Sequence, residues 1–174
     1  MIASHARNVV LGLISYADVV ELPVPVRRVI YRTGYQVLRL VWMVRHPVLH
    51  GVKCVITDGD RVLLVRHTYG GRRWDLPGGR IEPAEPPLDT ARREMNEELG
   101  LRIADWTPLG ELQVRTDHRN DTLHLFRAEL HDPTVTIDRG ELSVARWFPR
   151  AALPADLAPH VAPILARAKP LASG

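Results

Sequence analysis

From Gly51 onward the hydrophobic positions come in short, dense runs. GVKCVIT and RVLLVRH are rich in β-branched residues, and Asp58-Gly59-Asp60 between them supplies a residue tolerant of positive φ. That combination predicts a β-hairpin. DWTPLGELQVR, DTLHLFRAEL and LSVARWF read as further strands separated by polar turns, and PHVAPILARAKP as a short terminal helix. Between the hairpin and the later strands the period changes. Leu88, Ala91 or Arg92, Met95 and Leu99 recur at helical spacing over 86–100. Pro86 and Pro87 suit a first turn, where a missing N–H costs nothing, and Gly100 suits the position past the last one. Several strands with one central helix and a terminal helix predict an α/β or α+β domain around a mixed sheet.

Residues 1–50 read differently, as a helical extension ahead of a main domain at 51–170. NVVLGLISYADVVEL is followed by a break at Pro23 and Pro25, then by RRVIYRTGYQVLRLVWMVRH, which ends at Pro47. In the second segment Ile30, Gly34, Val37, Leu38, Val41, Trp42 and Val44 form a helical stripe, with Arg28, Arg32, Arg39 and Arg45 interleaved. This is the pattern of an amphipathic helix. It fits a helix packed on the domain, or on a second subunit in a homodimer through Val37, Leu38, Val41 and Trp42. A second reading is a basic helix in peripheral contact with an anionic membrane surface.

Composition narrows the class. With 174 residues, 45% hydrophobic and 25% charged, the chain is long enough for a real core and ordinary for a globular protein. The net charge of +3 is unevenly placed, because residues 1–50 carry six arginines against Asp18 and Glu21. The main domain is therefore no polycation, which argues against DNA as a partner. Cys54 is the single cysteine, so no intrachain disulfide can form; a reducing, cytoplasmic setting is expected. Its place in the apolar run VKCVIT suits a buried strand residue. Arg7 and the apolar stretch Val9 to Ile14 faintly resemble a secretory signal, but the stretch is shorter than the usual h-region of about 7–15 residues.

The helix over 86–100 carries an apparent flaw. Glu94, Glu97 and Glu98 fall within one turn with no following lysine, and like charges at that spacing repel. Three hard oxygen ligands in one patch suit Mg²⁺ or Mn²⁺, which take a few carboxylates and share their remaining positions with water and substrate phosphates. The same residues also describe an ordinary solvated acidic face.

The neighbouring residues decide between these. Gly79, Glu85 and the run Arg93-Glu94-Met95-x-Glu97-Glu98-x-Gly100-Leu101 match G-x5-E-x7-R-E-U-x-E-E-x-G-U, where U is aliphatic, at every fixed position. That pattern is the Nudix box, and the chain resembles the Nudix hydrolase family. The resemblance is tight over the box and looser over 51–150, including the lead-in Trp74-Asp75-Leu76-Pro77-Gly78-Gly79, and it does not reach the extension. It implies a Nudix-type α/β/α sandwich and a metal-dependent hydrolase that cleaves a pyrophosphate bond in a nucleoside diphosphate linked to another moiety, a small-molecule nucleotide. By that similarity Glu94 and Glu98 are the principal metal ligands, Glu97 completes the cluster directly or through water, and Gly78 or Gly79 offers a backbone carbonyl. Glu85 and Arg93 are implied to pair as structural supports. The general base is a box glutamate (Glu94 or Glu97) or a loop acid, for which Asp117, Asp121 and Glu141 are the candidates.

Arg66, His67, Tyr69, Arg72, Arg73 and Trp74 surround the Gly-rich loop. Arginines suit phosphate oxygens and the aromatics can stack on a base, which makes Arg66, Tyr69, Arg72, Arg73 and Trp74 candidate substrate contacts; Trp74 equally suits the core. Beyond the box, where some Nudix subfamilies carry a proline or tyrosine marker, this chain has Thr116, Asp117, His118 and Arg119, so the linked moiety stays open. G-x-S-x-G, G-x-x-x-x-G-K-[ST] and H-E-x-x-H are all missing, and Pro47 separates His46 from His50. The alternative is a Nudix-fold regulator that binds nucleotides without turnover, but that role should erode the box, and the box is intact. Isomerisation of an allylic diphosphate would need a cysteine-and-glutamate site, which a strand-buried Cys54 does not supply.

Overall fold

The structure, a computed structural model, describes residues 21–45, 48–69, 73–116, 119–131 and 133–168. Its elements in chain order are α1 (Val24–Arg45), β1 (Val48–Asp58), β2 (Arg61–His67), α2 (Pro87–Leu99), β3 (Thr107–Thr116), β4 (Arg119–Glu129), β5 (Leu142–Pro149) and α3 (Val161–Arg167). The five strands form one sheet in the order β3-β4-β1-β2-β5, parallel between β1 and β4 and antiparallel elsewhere. This is the mixed α/β sheet expected from the sequence. Strand β1 begins at Val48, inside what reads by sequence as the extension.

Alternation along the central strands assigns the two faces. Val52, Cys54 and Ile56 of β1, with Leu63 and Val65 of β2, meet Ala91, Met95 and Leu99 of α2. Val55, Val62, Leu64, Leu123 and Leu125 point the other way, onto Val161, Ile164 and Leu165 of α3. The result is a sandwich with α2 and α3 on opposite faces. Cys54 is fully buried on the α2 side, as its apolar run predicts.

Strands β1 and β2 pair beside their Gly59-Asp60 turn, at Thr57–Val62 and Asp58–Arg61. Farther along, residues 74–81 occupy the gap between them. Val65 exchanges two 2.9 Å backbone hydrogen bonds with Asp75, Cys54 N–H donates to Pro77 O at 2.9 Å, and Val52 N–H donates to Gly79 O at 2.8 Å. Buried strand amides need such partners, and this splice supplies them while setting Gly78 and Gly79 beneath α2.

Helix α1 starts at Val24 and takes Pro25 into its first turn, so Pro25 opens the helix instead of marking a break. Its docking face also departs from the apolar stripe. Gly34 of the stripe is buried, but so are Arg27, Tyr31 and Tyr35 outside it, whereas Val37 of the stripe is 49% exposed. The cause lies in the surface it meets, which is aromatic and polar. Tyr31 and Tyr35 pack their rings 6.0 and 6.3 Å from that of Tyr69. Arg27 pairs with Asp138 at 3.0 Å, Arg28 Nε donates to Arg139 O at 3.2 Å, and Arg32 Nε donates to Thr68 O at 3.1 Å. The side chains of Leu38, Arg39, Val41, Trp42, Val44 and Arg45 lie outside the described residues, as does NVVLGLISYADVV, so the dimer and membrane readings of those positions meet no contact here. No helix among the described residues is long and apolar enough to cross a membrane.

If α1 is integral to the fold, Tyr31→Ala should lower stability by about 3–5 kcal/mol, as aromatic truncations in cores do. Chemical denaturation of the full chain measures this, and a loss below about 1 kcal/mol would contradict the docking.

Candidate metal and catalytic site

Helix α2 is built to hold its end positions firmly. Pro86 takes the N-cap with extended backbone (φ −63°, ψ 142°). Gly100 takes the left-handed conformation at φ 66°, where its N–H donates to Asn96 O and that of Leu101 to Met95 O, both at 3.0 Å. Of the predicted stripe, Ala91, Met95 and Leu99 are buried, Leu88 is half-buried and Arg92 is exposed. Glu94 and Glu98, expected on a separate face, are buried as well, at 1% exposure each. Glu94 fits because a side-chain-less residue, Gly79, lies opposite it. A Cβ on Gly79 would fall 2.1 Å from the Glu94 carboxyl carbon, and one on Gly78 would fall 2.2 Å from Val52 O. Gly78 N–H donates to Glu98 Oε2 at 3.3 Å.

Arg93 ties the acidic residues together. Its Nε and Nη2 reach the two oxygens of Glu85 at 2.8 and 3.0 Å, and Nη2 also donates to Arg80 O at 3.2 Å. Nη1 reaches Glu94 Oε1 at 2.8 Å and Glu97 Oε2 at 3.2 Å. Glu85 accepts further bonds from Thr90 Oγ1 at 2.7 Å and Glu82 N–H at 3.2 Å. The Arg93 hydrogen bonds, aided by those of Thr90 and Glu82, hold the Glu85 carboxyl down at about 2. Partial burial works against the Arg93 charge, but Glu85, Glu94 and Glu97 together raise its proton affinity above the ordinary guanidinium range.

Glu98 is in the opposite situation. Burial, then the neighbouring charges of Glu94 and Glu141, push its carboxyl well above the usual range. Its Oε1 is buried with no hydrogen-bond donor among the described residues. Glu141, 2% exposed, sits in the loop before β5, where its backbone O accepts from Thr68 N–H at 2.9 Å.

The remaining sequence candidates fall in several places. Arg66 pairs with Asp156 and lies 4.4 Å over the Trp74 ring. Trp74 is 7% exposed and edge-on to Phe148 at 4.8 Å, within the α3-side core. Tyr69 is 5% exposed beneath α1, Arg73 is exposed, and Asp121 is buried in β4 in register with Leu49 and Val114. Arg72, Asp117 and His118 lie outside the described residues.

One group escaped sequence reasoning. Lys53, 1% exposed in β1, donates to Asp75 Oδ2 at 2.8 Å and Leu76 O at 2.7 Å, and His160 Nε2 meets Asp75 Oδ1 at 2.7 Å. Burial opposes the Asp75 charge, but Lys53 and His160 hold its carboxyl well below the usual range. This anchors the strand-like segment that carries Gly78 and Gly79. A lysine in the middle of VKCVIT was the available signal.

The donor set fits a hard divalent cation. Two buried carboxylates repel each other, one oxygen has no donor, and a cation between them would offset both costs. Among the described residues no three His, Cys, Asp or Glu side chains gather to enclose an ion unaided. Glu97 is turned toward Arg93 instead. That suits an ion sharing its shell with water and phosphate oxygens.

The fold is an α/β domain whose mixed sheet sets a buried pair of helical carboxylates against a Gly-Gly segment. The NUDIX domain family matches the chain over residues 48–168, and the chain belongs to that family. It is 34% identical over 91 residues to the ADP-ribose pyrophosphatase of Mycobacterium tuberculosis, covering 49% of this chain and 44% of that one. It is 32% identical over 113 residues to the human 8-oxo-dGDP phosphatase NUDT18, covering 60% of this chain and 33% of that one. The chain thus spans less than half the length of these two relatives. Among solved structures it resembles a MutT NUDIX hydrolase from Burkholderia pseudomallei, with TM-score 0.65 and 21% identity over 70% of this chain and 98% of that one. The NUDIX domain of Shewanella oneidensis NrtR, complexed with ADP-ribose, gives TM-score 0.60 and 22% identity over 69% of this chain and 85% of that one.

Because the folded state lowers the Glu85 pKa from 4.5 to about 2, its carboxylate contributes stability that is present above the unfolded value and lost as pH falls through the folded one. Glu85→Gln should therefore flatten the acid-side fall of the melting temperature between about pH 5 and 2. A variant curve parallel to the wild-type curve would contradict the Arg93–Glu85 assignment.

Proposed function

We propose that the protein is a Mg²⁺- or Mn²⁺-dependent pyrophosphohydrolase acting on a nucleoside diphosphate linked to another moiety. The observation that carries this is the buried pair Glu94 and Glu98 against Gly78 and Gly79, with Glu98 Oε1 lacking a donor among the described residues. The names of the mycobacterial and human relatives support the substrate class, since ADP-ribose and 8-oxo-dGDP are both nucleoside diphosphates or their derivatives.

Glu94 and Glu98 would hold the ion, with Glu97 completing the set directly or through water and Gly78 or Gly79 contributing a backbone carbonyl. A bound divalent ion supplies positive charge against phosphate oxygens and acidifies water at neutral pH. The chain's own residues do the rest. Arg93 fixes the Glu94 and Glu97 carboxylates from one guanidinium nitrogen, and its grip on Glu85 fixes Arg93 in turn. Lys53 and Asp75 keep the Gly-Gly segment at its close approach. Glu141 is the loop acid we assign to accept a proton from the attacking water, because it is buried beside Glu98 in a rigid turn.

Turnover should be assayed with ADP-ribose, 8-oxo-dGDP, nucleoside triphosphates, sugar nucleotides, dinucleotides and capped RNA, each with Mg²⁺ and Mn²⁺, and products identified by mass. Glu94→Gln and Glu98→Gln should each lower kcat by at least ~100-fold, and Glu141→Gln should do so without weakening Mn²⁺ binding. Binding without turnover across the whole panel would favour the nucleotide-binding regulator instead. Near-normal rates in both box variants would sink the assignment of Glu94 and Glu98 to the reaction.

A further inference from the structure

Helix α1 lies outside the matched family region, yet it closes a cavity against it. The cavity, 560 Å³ in volume, is bounded by Arg28, Arg32, Tyr35 and Gln36 of α1 and by β2, β5 and Thr68-Tyr69. That volume is within the range of small-ligand sites, which run from about 300 to 1,000 Å³.

Its lining is cationic and, among the described residues, contains no carboxylate. Arg66 is matched by Asp156. Arg28 and Arg32 are not matched, since among the described residues each spends only its Nε, on Arg139 O and on Thr68 O respectively. Both guanidiniums are thereby held in place with their Nη donors uncommitted, and a fixed fork of that kind suits phosphate oxygens. His67 also lines the cavity, and both of its ring nitrogens are buried with no hydrogen-bond partner among the described residues. Burial brings its pKa down to about 3, so it offers a neutral N–H donor and no charge. Tyr69 also lines the cavity, and burial, then the charges of Glu141, Glu98 and Glu94, raise its phenol pKa well above the usual value.

We propose that this cavity is a phosphate-anion subsite, built jointly by Arg28 and Arg32 of the extension helix and by Arg66 and His67 of β2. An anion in the cavity would pair with the uncommitted Nη donors of Arg28 and Arg32 and give the buried His67 ring a hydrogen-bond partner that the described residues do not supply. The anion is either the phosphorylated far portion of the substrate or free phosphate, and the chemistry of the lining is common to both. The substrate assignment rests on the hydrolytic reading above, whereas anion binding does not.

The test uses the full chain in EDTA, where the acidic cluster lacks its ion and repels phosphates, with inorganic pyrophosphate as the calorimetric probe. Pyrophosphate should bind the wild-type protein, more weakly as salt is raised, and Arg28→Gln/Arg32→Gln should weaken it by at least about tenfold. Arg28→Lys/Arg32→Lys should retain part of the affinity, which separates lost charge from a loosened helix. No binding by the wild-type protein at low salt, or equal binding by the glutamine variant, would overturn the proposal, and the first of these holds even if the variants fail to fold. In the metal-loaded enzyme, a raised KM with little change in kcat for the glutamine variant assigns the anion to the substrate. An unchanged KM with lost pyrophosphate binding assigns it to free phosphate. Failure of every substrate to turn over, with pyrophosphate binding intact, would fault the hydrolytic reading and leave the subsite standing.

Discussion

Glu94 and Glu98 place two carboxylates in the interior, each 1% exposed, where like charges repel and water cannot screen them. Much of the surrounding structure meets that constraint. Gly79 gives Glu94 the space a Cβ would fill, and Gly78 offers Glu98 a backbone N–H. To bring those glycines there, β1 and β2 separate beyond their turn and admit residues 74–81 as a splice. The splice in turn needs an internal anchor, which Lys53 provides through Asp75 and Leu76 O. Arg93 neutralises one side of the cluster, while Glu98 Oε1 has no hydrogen-bond donor among the described residues. On the reading proposed above, the like charges within one turn of the helix are the geometry a divalent cation would need.

The extension takes part in the same arrangement from the other side. Arg27 on Asp138 and Arg28 on Arg139 O hold the loop that leads to Glu141, and the Arg27 guanidinium carbon lies 2.9 Å from where a Gly140 Cβ would stand. Tyr31 and Tyr35 cover Tyr69, packing their rings 6.0 and 6.3 Å from its own. A helix that reads as an appendage therefore positions residues at the site and closes a cavity beside it.

How much of this was legible in the sequence depended on how local the cause was. Strand alternation in VKCVIT and RVLLVRH, the Gly100 stop and the three glutamates of one turn are short-range patterns, and each is visible along the chain. The Lys53–Asp75–His160 group joins positions 22 and 85 residues apart, and only the fold brings them together. The docking face of α1 was misjudged for a different reason. Hydrophobic periodicity favours Val37, but the surface that receives the helix is made of Tyr69, Asp138 and backbone carbonyls, so Arg27, Tyr31 and Tyr35 face inward. Arg66 shows the same limit: its type suits phosphate, and the structure gives it Asp156 and the Trp74 ring, facts that no spacing rule contains.

Direct titration of Mn²⁺ into the full chain without nucleotide, followed by the loss of the free-ion electron paramagnetic resonance signal, tests whether the buried pair is a cation site. The wild-type protein should take up Mn²⁺, and Glu94→Gln/Glu98→Gln should lose that uptake while keeping its fold by circular dichroism. Equal Mn²⁺ affinity in a folded double variant would contradict a metal at Glu94 and Glu98.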